Sequence, residues 1–370
     1  MNREQPAIGA TTARTVEIDG VELLGFHGCG YLGLAHEPSV VEAAREALSR
    51  NGASALASRR TSGNLELHER LESRLADFMG TEAALVLEDG FVADLAALQG
   101  LASRGHDLAL LDADAHASLV AGASLVGLER FDYGPGDVNR IVALLDRYES
   151  RRPLVLTDGV FGMHGRMAPV PEILRHLPDG AVLLIDDCHG VGVLGERGRG
   201  TLEAFGAPLE DVMVTCSMAK ALGASGGFIA GSAAVIESIR RGAEAFTTTT
   251  GLAPPSAAAA LAALEVIDRE PQRLDRLRAN TGHLHRAARR VGLRSQGTFL
   301  PILRIEFADA GQARRLSAAL HVEGIFAPSM RYPGVPSGGI VRLAVTSEHT
   351  AHDLKRLEEA LMRHLPEQAS

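Results

Sequence analysis

Along most of the chain, short apolar runs alternate with segments of helical periodicity. Four of these runs end in polar or acidic residues: LALLDAD, PLVLTDG, AVLLIDD and DVMVTCS. Strands that are apolar throughout are typical of parallel sheets covered by helices on both faces. Open sheets of this kind bind ligands at the carboxyl ends of their strands. The pattern therefore predicts an α/β fold with a mostly parallel sheet and a ligand site at one edge of it.

The two ends of the chain carry different patterns. VEIDGVELLGFH predicts a hairpin that turns at Asp19-Gly20, and a helix is expected over residues 64–79. In the last third, small-residue and Arg-rich helical patterns surround expected strands at LPILRIEF and GIVRLAV. We predict an N-terminal arm and hairpin over residues 1–37, a large domain over 38–250, and a smaller α+β C-terminal domain over 251–370.

Composition excludes several classes of protein. The chain has 370 residues, of which 46% are hydrophobic, which suits two folded domains and not a disordered chain. A net charge of -9 and an aromatic content of 4% argue against nucleic-acid binding. No apolar run reaches the ~20 residues that span a bilayer. The three cysteines, Cys29, Cys188 and Cys216, lack zinc-site spacing, and their odd number suits a reducing cytoplasm. Together these features predict a cytoplasmic protein that binds neither nucleic acid nor membrane.

Lysine is nearly absent from the chain. Among the 37 lysines and arginines, only Lys220 and Lys355 are lysines. Arginine stays protonated and forms no imine, whereas a desolvated lysine is a nucleophile. Lys355 lies in an Arg- and Glu-rich segment typical of a solvated helix, but Lys220 lies in the apolar, glycine-rich segment TCSMAKALGASGGFIAG. Lys220 is therefore the first candidate for covalent chemistry.

Short motifs allow three other chemistries. GCGYLG fits a dinucleotide-binding loop, but no acidic residue follows at the required spacing. Ser217 and Lys220 fit the S-x-x-K pattern of serine acylases, whose other elements, K-T-G and S-D-N, do not occur in the chain. IDDCHG and DADAH could bind a metal, or their polar residues could simply cap the next helix. We expect no metal site.

The same residues together meet the needs of a pyridoxal phosphate (PLP) site. Such a site requires a lysine for the imine, a carboxylate to keep the ring nitrogen protonated, a ring to stack on the cofactor, and donors for the phosphate. Lys220 supplies the first of these, Asp186 the second and His116 the third. Donors for the phosphate are available at a strand-to-helix turn and just before the lysine: Gly90, Phe91 and Ser217.

An ordered series of motifs runs from about residue 20 to residue 365. These are YLGLAHEP, SGNLELHERLE, DGFVADLAAL, DAHASLVAG, DGVFGMHGRMAPV, LIDDCHGVGVLGERGRG, SMAKALGASGGFIAG and YPGVPSGGIVRLAVTSEHT. The series resembles the α-oxoamine synthase family of fold-type I PLP enzymes. The resemblance implies a large domain with a mostly parallel sheet and a smaller α+β C-terminal domain.

The resemblance also implies roles for individual residues. Lys220 forms the imine with the cofactor, Asp186 pairs with the ring nitrogen, and His189 donates a hydrogen bond to the phenolic oxygen. His116 stacks on the ring and assists the acyl group. The remaining implied contacts hold the phosphate or the amino-acid carboxylate: Gly90, Phe91, Ser217, Thr250 from the partner subunit of a homodimer, and Arg342.

The reaction implied by the resemblance is the condensation of a small amino acid with an acyl thioester, usually with decarboxylation, to give an α-aminoketone. The acyl group would arrive on coenzyme A or on a carrier protein. The alternative is the same cofactor and fold used without acyl transfer, as an aldolase, aminotransferase, racemase or decarboxylase. A non-enzymatic subunit is a third reading, but such subunits commonly lack the imine lysine.

The chain departs from the family pattern at three places. Gly30 replaces an Asn near the amino-acid substrate. The usual F-S-M-D-G-D reads Phe161-Gly162-Met163-His164-Gly165-Arg166, and Asp94 stands where the family has Asn after the phosphate turn. These departures leave cofactor binding intact and put the identity of the substrates in question.

Overall fold

The computed structural model describes residues 6–163, 165–294, 299–330 and 338–365. The strands are β1 (Thr15–Ile18), β2 (Val21–Gly25), β3 (Ala83–Leu87), β4 (Leu108–Asp112), β5 (Glu129–Tyr133), β6 (Pro153–Asp158), β7 (Val160–Phe161), β8 (Arg166–Met167), β9 (Val182–Asp186), β10 (Val212–Ser217), β11 (Gly227–Gly231), β12 (Ile302–Glu306), β13 (Ile325–Phe326), β14 (Ser329–Met330) and β15 (Ile340–Ala344). The α-helices are α1 (Pro38–Asn51), α2 (Glu66–Met79), α3 (Gly90–Ser103), α4 (Ala117–Leu125), α5 (Val138–Arg147), α6 (Val170–His176), α7 (Thr201–Phe205), α8 (Ala233–Gly242), α9 (Glu244–Thr247), α10 (Pro254–Arg269), α11 (Gln272–Arg290), α12 (Ala310–Val322) and α13 (Ala351–His364).

The larger of two compact units comprises Glu37–Phe161 and Met167–Arg269. Its seven-stranded sheet has the order β3-β11-β10-β9-β6-β4-β5, in which β11 alone runs antiparallel to its neighbours. The four apolar runs of the sequence form β4, β6, β9 and β10, and the strands β4, β6 and β9 are buried along their whole length. The prediction of a mostly parallel sheet covered on both faces is confirmed.

Helix α3 packs the apolar core on one side of this sheet. Its buried alanines allow close approach to β10 and β11, and they share a core with leucines of β3, β4, β6 and β9. Gly100 lies on the same helix, and a Cβ at this position would stand 2.1 Å from Cγ1 of Ile239. This close packing holds the first turn of α3 against the end of β10.

The smaller unit comprises Met1–His36, Gly162–Arg166 and Glu270–Ser370. It contains the antiparallel sheet β12-β15-β14 and the sheet β1-β2-β13, in which β13 runs parallel to β2. The predicted hairpin at Asp19-Gly20 is present, with positive φ at both residues. An apolar core joins this hairpin to α11, α12 and α13.

The two units differ from the predicted three-part division in two places. The N-terminal segment shares its sheet and core with the C-terminal part, because β2 pairs with β13. Helix α10 belongs to the larger unit, because it packs on α1 and α2, so the boundary lies near residue 269 and not at 250. Both differences come from pairings between distant segments, which local composition does not encode.

The second predicted helix begins later than expected. It was predicted over residues 64–79, and the structure has α2 over Glu66–Met79. The N–H of Leu65 donates to Nδ1 of His68, and the other ring nitrogen of His68 lies 2.7 Å from the carbonyl oxygen of Leu252. This cap ends the extended segment at Leu65, and His68 thereby ties α2 to the segment before α10. None of the helices among the described residues is long and apolar enough to cross a membrane.

Candidate active site

The carboxyl ends of the central strands bring the predicted Asp186 together with two acids that the sequence did not assign to the site. The register pairs Asp186 on β9 with Asp158 on β6 on one side and with Thr215 on β10 on the other. Asp94, on α3, accepts a hydrogen bond from the Thr215 hydroxyl. All four residues are buried. The predicted ligand edge of the sheet is therefore lined by three carboxyl groups from three different elements.

Asp186 is held in one orientation by its surroundings. The N–H of Cys188 donates to its Oδ1 at 3.0 Å, and its Oδ2 lies 4.0 Å from Nδ1 of His116. Only 8% of the Asp186 side chain is exposed. A buried carboxylate with one oxygen already bonded to the backbone presents its other oxygen to whatever occupies the space beside His116.

His116 is fixed at its backbone, and its ring remains accessible. Its N–H donates to Oδ1 of Asp158 at 2.8 Å, and its side chain caps α4 by accepting from the N–H of Ser118. The side chain is nevertheless 45% exposed. An imidazole that is anchored at its base and open on its face suits the stacking role predicted for His116.

Lys220 lies in the tight turn that follows β10. The N–H of Met218 donates to the carbonyl of Gly226, and the N–H of Gly223 donates to the carbonyl of Lys220 itself, which closes the turn. Lys220 is half-buried, and its charge acts on both Asp94 and Asp158. The lysine singled out by composition therefore lies beside the acids at the edge of the sheet.

The first turn of α3 forms a cradle with a glycine floor. A Cβ on Gly90 would stand 2.9 Å from Cβ of Ser217, and one on Gly227 would stand 2.1 Å from the carbonyl oxygen of Asp89. Asp89 caps the helix by accepting from the N–H of Val92 at 2.8 Å. The N-terminus of this 14-residue helix attracts anions, so the turn with Ser217 beside it fits a phosphate group.

Burial and mutual repulsion set the charge state of the acids. Burial raises the pKa of Asp94 and of Asp158 well above the usual range for aspartate, and the charge of Asp186 adds to both. The positive charge of Lys220 opposes these shifts without cancelling them. Behind them, burial raises the pKa of Asp187 to about 7. Because like charges repel, the neighbouring carboxyl groups of Asp94, Asp158 and Asp186 cannot all ionise.

These residues fit a PLP cofactor. The cradle at Gly90 has no room for a side chain, the imidazole of His116 is open, and a buried carboxylate stands beside it with a lysine close by. Helix-terminal amides and a hydroxyl match a phosphate, and a carboxylate matches a protonated ring nitrogen. The donor set is that of PLP chemistry.

The other predicted residues lie in the segments after β9 and α9, on α3, and in the smaller unit. His189 is half-buried in the turn after β9, Phe91 is 45% exposed, and Thr250 is exposed between α9 and α10. Arg342 lies on β15 of the smaller unit, buried, where it donates to the carbonyl of Gly28 at 3.2 Å and to the sulfur of Cys29 at 3.4 Å. His164 lies outside the described residues.

Sequence reasoning did not assign three polar residues of the site. Asp158 ends one of the acidic strand runs, so the run itself was the available signal. Ser118 and Thr215 carry no such signal, because a hydroxyl within an apolar helix or strand is common. Only the fold shows that both hydroxyls lie within hydrogen-bond distance of the same carboxyl group of Asp94.

Comparison with known proteins identifies the family to which the chain belongs. The model of the aminotransferase class I and II family matches residues 24–361. The chain belongs to this family. An 8-amino-7-oxononanoate synthase of Fervidobacterium nodosum is 34% identical over 345 residues, which are 92% of this chain and 87% of that protein. The corresponding enzyme of Thioalkalivibrio sulfidiphilus is 37% identical over 352 residues, 94% of this chain and 89% of that protein.

Solved structures within this family agree with the fold. A serine palmitoyltransferase of Sphingomonas wittichii has a TM-score of 0.90 and 28% identity, and it covers 97% of this chain and 92% of its own. The serine palmitoyltransferase of S. paucimobilis, solved with a bound PLP–myriocin aldimine, has the same TM-score and coverage at 27% identity. The fold class and the PLP cofactor predicted from the sequence are confirmed.

Within the aminotransferase class I and II family, the chain is an α-oxoamine synthase. It is a PLP-dependent acyltransferase that condenses an amino acid with an acyl thioester to give an aminoketone. The predicted resemblance and activity are confirmed. The roles of individual site residues remain predictions.

Proposed function

We propose that the chain joins a small amino acid to an acyl thioester at the cradle between α3 and β10, as a homodimer in the cytoplasm. The observation that carries this proposal is the position of Lys220 beside the acids that flank the open ring of His116. The names of the relatives support a vicinal aminoketone product, because 8-amino-7-oxononanoate carries its amine next to its ketone. Cysteines that form no disulfide, such as Cys29, Cys188 and Cys216, suit a reducing compartment.

The relatives' product also narrows the substrates. In 8-amino-7-oxononanoate the amine-bearing carbon carries a methyl group, as alanine does after losing its carboxylate, and the other seven carbons form an acyl chain. Alanine is therefore the first amino acid to test on this chain. Glycine and serine follow, since Gly30 alters the place where the family has Asn. Coenzyme A and a carrier protein are both proposed as acyl donors.

PLP supplies, when bound, an electron sink that stabilises negative charge at the α-carbon of the amino acid. Lys220 is the attachment point for the cofactor, and its amine, once displaced by the substrate, accepts the α-proton. Asp186 keeps a proton on the ring nitrogen, because its buried carboxylate is fixed by the N–H of Cys188. His116 stacks on the ring and donates toward the thioester carbonyl.

The remaining proposed contacts orient the ligands. His189 donates to the phenolic oxygen of the cofactor. The amides of Gly90 and Phe91, with the hydroxyl of Ser217, hold the phosphate at the N-terminus of α3. Thr250 of the partner subunit adds a hydroxyl there. Arg342 binds the amino-acid carboxylate, a role for which a buried and always charged guanidinium is suited.

Lys220→Ala tests the attachment directly. Purified apoprotein is titrated with PLP, and visible absorbance together with reduction by borohydride measures covalent attachment. We expect the variant to lose both signals and Lys355→Ala to keep them, because Lys355 has a side chain that is 71% exposed and pairs with Glu359 on a surface helix. Covalent attachment that survives in Lys220→Ala contradicts the proposal.

Thiol release tests the reaction. Alanine, glycine and serine are each supplied with a panel of acyl-coenzyme A and acyl-carrier substrates, and free thiol is measured. Release that requires both substrates supports condensation. Consumption of the amino acid without thiol release from any donor would favour the alternative use of the cofactor, without acyl transfer.

A further inference from the structure

Asp94 lies at the end of a chain of short polar contacts that leads to His116. Oδ2 of Asp94 is 2.5 Å from Oγ of Ser118, and that Oγ is 2.6 Å from Nδ1 of His116. Asp94 and Ser118 are each 1% exposed. Both contacts have hydrogen-bond length, so each requires one hydrogen between its two heavy atoms.

Counting hydrogens leaves two arrangements. Ser118 has one hydroxyl hydrogen and cannot donate to both neighbours. Either Nδ1 of His116 donates to Ser118, which donates to an ionised Asp94, or a neutral Asp94 donates to Ser118, which donates to Nδ1. The two arrangements differ in where the proton rests and in which ring nitrogen of His116 carries hydrogen.

The backbone of Ser118 distinguishes the two arrangements. Its N–H points at Nδ1 of His116 from 3.4 Å, in the capping contact of α4. An N–H on Nδ1 would face this N–H, whereas a bare nitrogen accepts it. The geometry therefore makes Nδ1 an acceptor and places the hydrogen of the Asp94–Ser118 contact on Asp94.

The charges around Asp94 agree with a neutral acid. Asp186 on β9 and Asp158 on β6 face it, Lys220 after β10 is the nearby cation, and Thr215 donates to its other oxygen. Burial and the charge of Asp186 raise the pKa of Asp94 well above its usual range, and the contacts with Ser118 and Thr215 together with the charge of Lys220 do not reverse this.

We propose that Asp94 is a positioning residue that, as a neutral acid, donates through Ser118 to fix the imidazole of His116 in the tautomer with hydrogen on Nε2. Asp186 is then left as the anion for the ring nitrogen of the cofactor. The Nε2 hydrogen of His116 becomes the donor that the acyl-transfer step uses. This inference rests on the proposed function for the stacking of His116 on PLP and for its donation to the thioester.

The protonation of Asp94 is tested on apoprotein, without any cofactor. Infrared difference spectra between wild type and Asp94→Asn at pH 8.5 should show the carbonyl stretch of a protonated carboxylic acid, lost in the variant. Asp187→Asn is the matched control, because Asp187, with a pKa of about 7, is ionised at that pH and contributes no such band. Absence of the band from wild type, or a band that persists unchanged in Asp94→Asn and therefore belongs to another acid such as Asp158, overturns the proposal, whatever the outcome for PLP.

The action on His116 is tested by PLP affinity. We expect Ser118→Ala and Asp94→Leu to weaken PLP binding about 3- to 10-fold, the range that one lost hydrogen bond produces. Asp94→Asn should restore binding toward the wild-type value, because its amide donates to Ser118 as the neutral acid does. If Asp94→Asn binds as weakly as Asp94→Leu, the carboxylate charge is what matters and the proposal fails.

Ser118→Ala keeps this test informative if Asp94→Leu does not fold. If Ser118→Ala binds PLP with wild-type affinity, the polar contacts from Asp94 through Ser118 do not act on His116. If wild type itself does not bind PLP, the proposed function fails, and the infrared spectra still decide the state of Asp94.

Discussion

Two adjacent aspartates at the end of β9 serve different purposes. Asp186 faces the site, and Asp187 turns the other way and accepts from the N–H and hydroxyl of Thr201 at 2.7 and 2.6 Å. A Cβ on Gly190 or on Gly200 would stand 2.0 Å from an oxygen of Asp187. The glycines of LIDDCHGVGVLGERGRG thus make room for a buried structural carboxyl group.

Asp187 predicts an unusual dependence of stability on pH. Its folded-state pKa of about 7 lies above the unfolded value, so the native state retains a proton that the unfolded state loses. The stability that this proton contributes is present at low pH and is lost as pH rises toward 7. Relative to Asp187→Asn, wild type should lose about 2.5 kcal/mol of unfolding free energy between pH 5 and pH 7.5.

Urea unfolding of both proteins across that pH range measures this difference. Asp179→Asn, at an exposed position, is the control and should track wild type at every pH. A constant difference between wild type and Asp187→Asn would show that Asp187 keeps one charge state throughout.

Gly30 is open at the position where the family has Asn. A Cβ on Gly30 meets no atom within 4 Å, and its φ is not positive, so Asn fits there without strain. We expect Gly30→Asn to keep the unfolding free energy within about 0.5 kcal/mol. The added side chain should lower kcat/KM for serine relative to glycine by about threefold or more.

The control for Gly30→Asn is Gly33→Asn. Gly33 has a φ of 68°, and a Cβ there would stand 2.6 Å from Cγ of Glu348, so this variant should lose about 1 kcal/mol or more. Thermal unfolding compares the two variants. Equal destabilisation would contradict an open site at Gly30.

At the scale of elements, one histidine joins the last turn of the chain to the first hairpin. Nδ1 of His349 accepts from the N–H of Thr346 at 2.9 Å, so its Nε2 carries the hydrogen that is donated to the carbonyl of Gly25 at 3.0 Å. Its ring stacks on Phe26 with centroids 4.5 Å apart. The TSEHT turn before α13 is thereby bound to the end of β2.

His349 predicts loss of stability in acid. Burial lowers the pKa of His349 to about 4, so below pH 6.5 the unfolded state takes up a proton that the native state excludes. Its depressed pKa therefore makes stability fall as pH falls from 6.5 toward 4. Relative to His349→Gln, wild type should lose about 2 kcal/mol between pH 7 and pH 5.

Stability is expected to fall as pH falls because of His349 and as pH rises because of Asp187. The pH profile of wild type is therefore compared with each variant separately. His352→Gln, at an exposed position on α13, is the control. Unfolding free energies at several pH values decide the matter, and identical pH profiles for wild type and His349→Gln would contradict the assigned contacts.

At the scale of the whole molecule, the proposed dimer makes a prediction about mixed subunits. Suppose that Thr250 of one subunit contacts PLP in the site of the other subunit. In a heterodimer of Lys220→Ala with Thr250→Ala, the site of the Lys220→Ala subunit then carries both substitutions, and the site of the other subunit carries neither. We expect half of the heterodimer's sites to bind PLP with wild-type affinity. Thr250→Ala homodimers should bind about 3- to 10-fold more weakly.

Subunits carrying two different affinity tags allow the heterodimer to be purified and titrated with PLP. If Thr250 acts within its own subunit, the single competent site binds with the weakened affinity of Thr250→Ala. Thr250 is exposed between α9 and α10, as the proposed contact with a partner requires.

Much of the larger unit was predictable because its signals are local. Strands β4, β6, β9 and β10 read as apolar runs because they are buried on both faces. A strand buried in this way has a continuous apolar run wherever it occurs. The division into units was less predictable. It depends on β2 pairing with β13 and on α10 packing against α1, which are contacts between distant segments.

The cofactor follows from the sequence alone, because Lys220 is one of only two lysines and its neighbours form an ordered family series. It also placed Asp186 and His116 at strand ends. The proximity of Asp94 to Asp186 and the opposite orientation of Asp187 become visible only in the folded chain. Charge state depends on burial and on neighbouring charges, and both arise when elements far apart in the chain pack together.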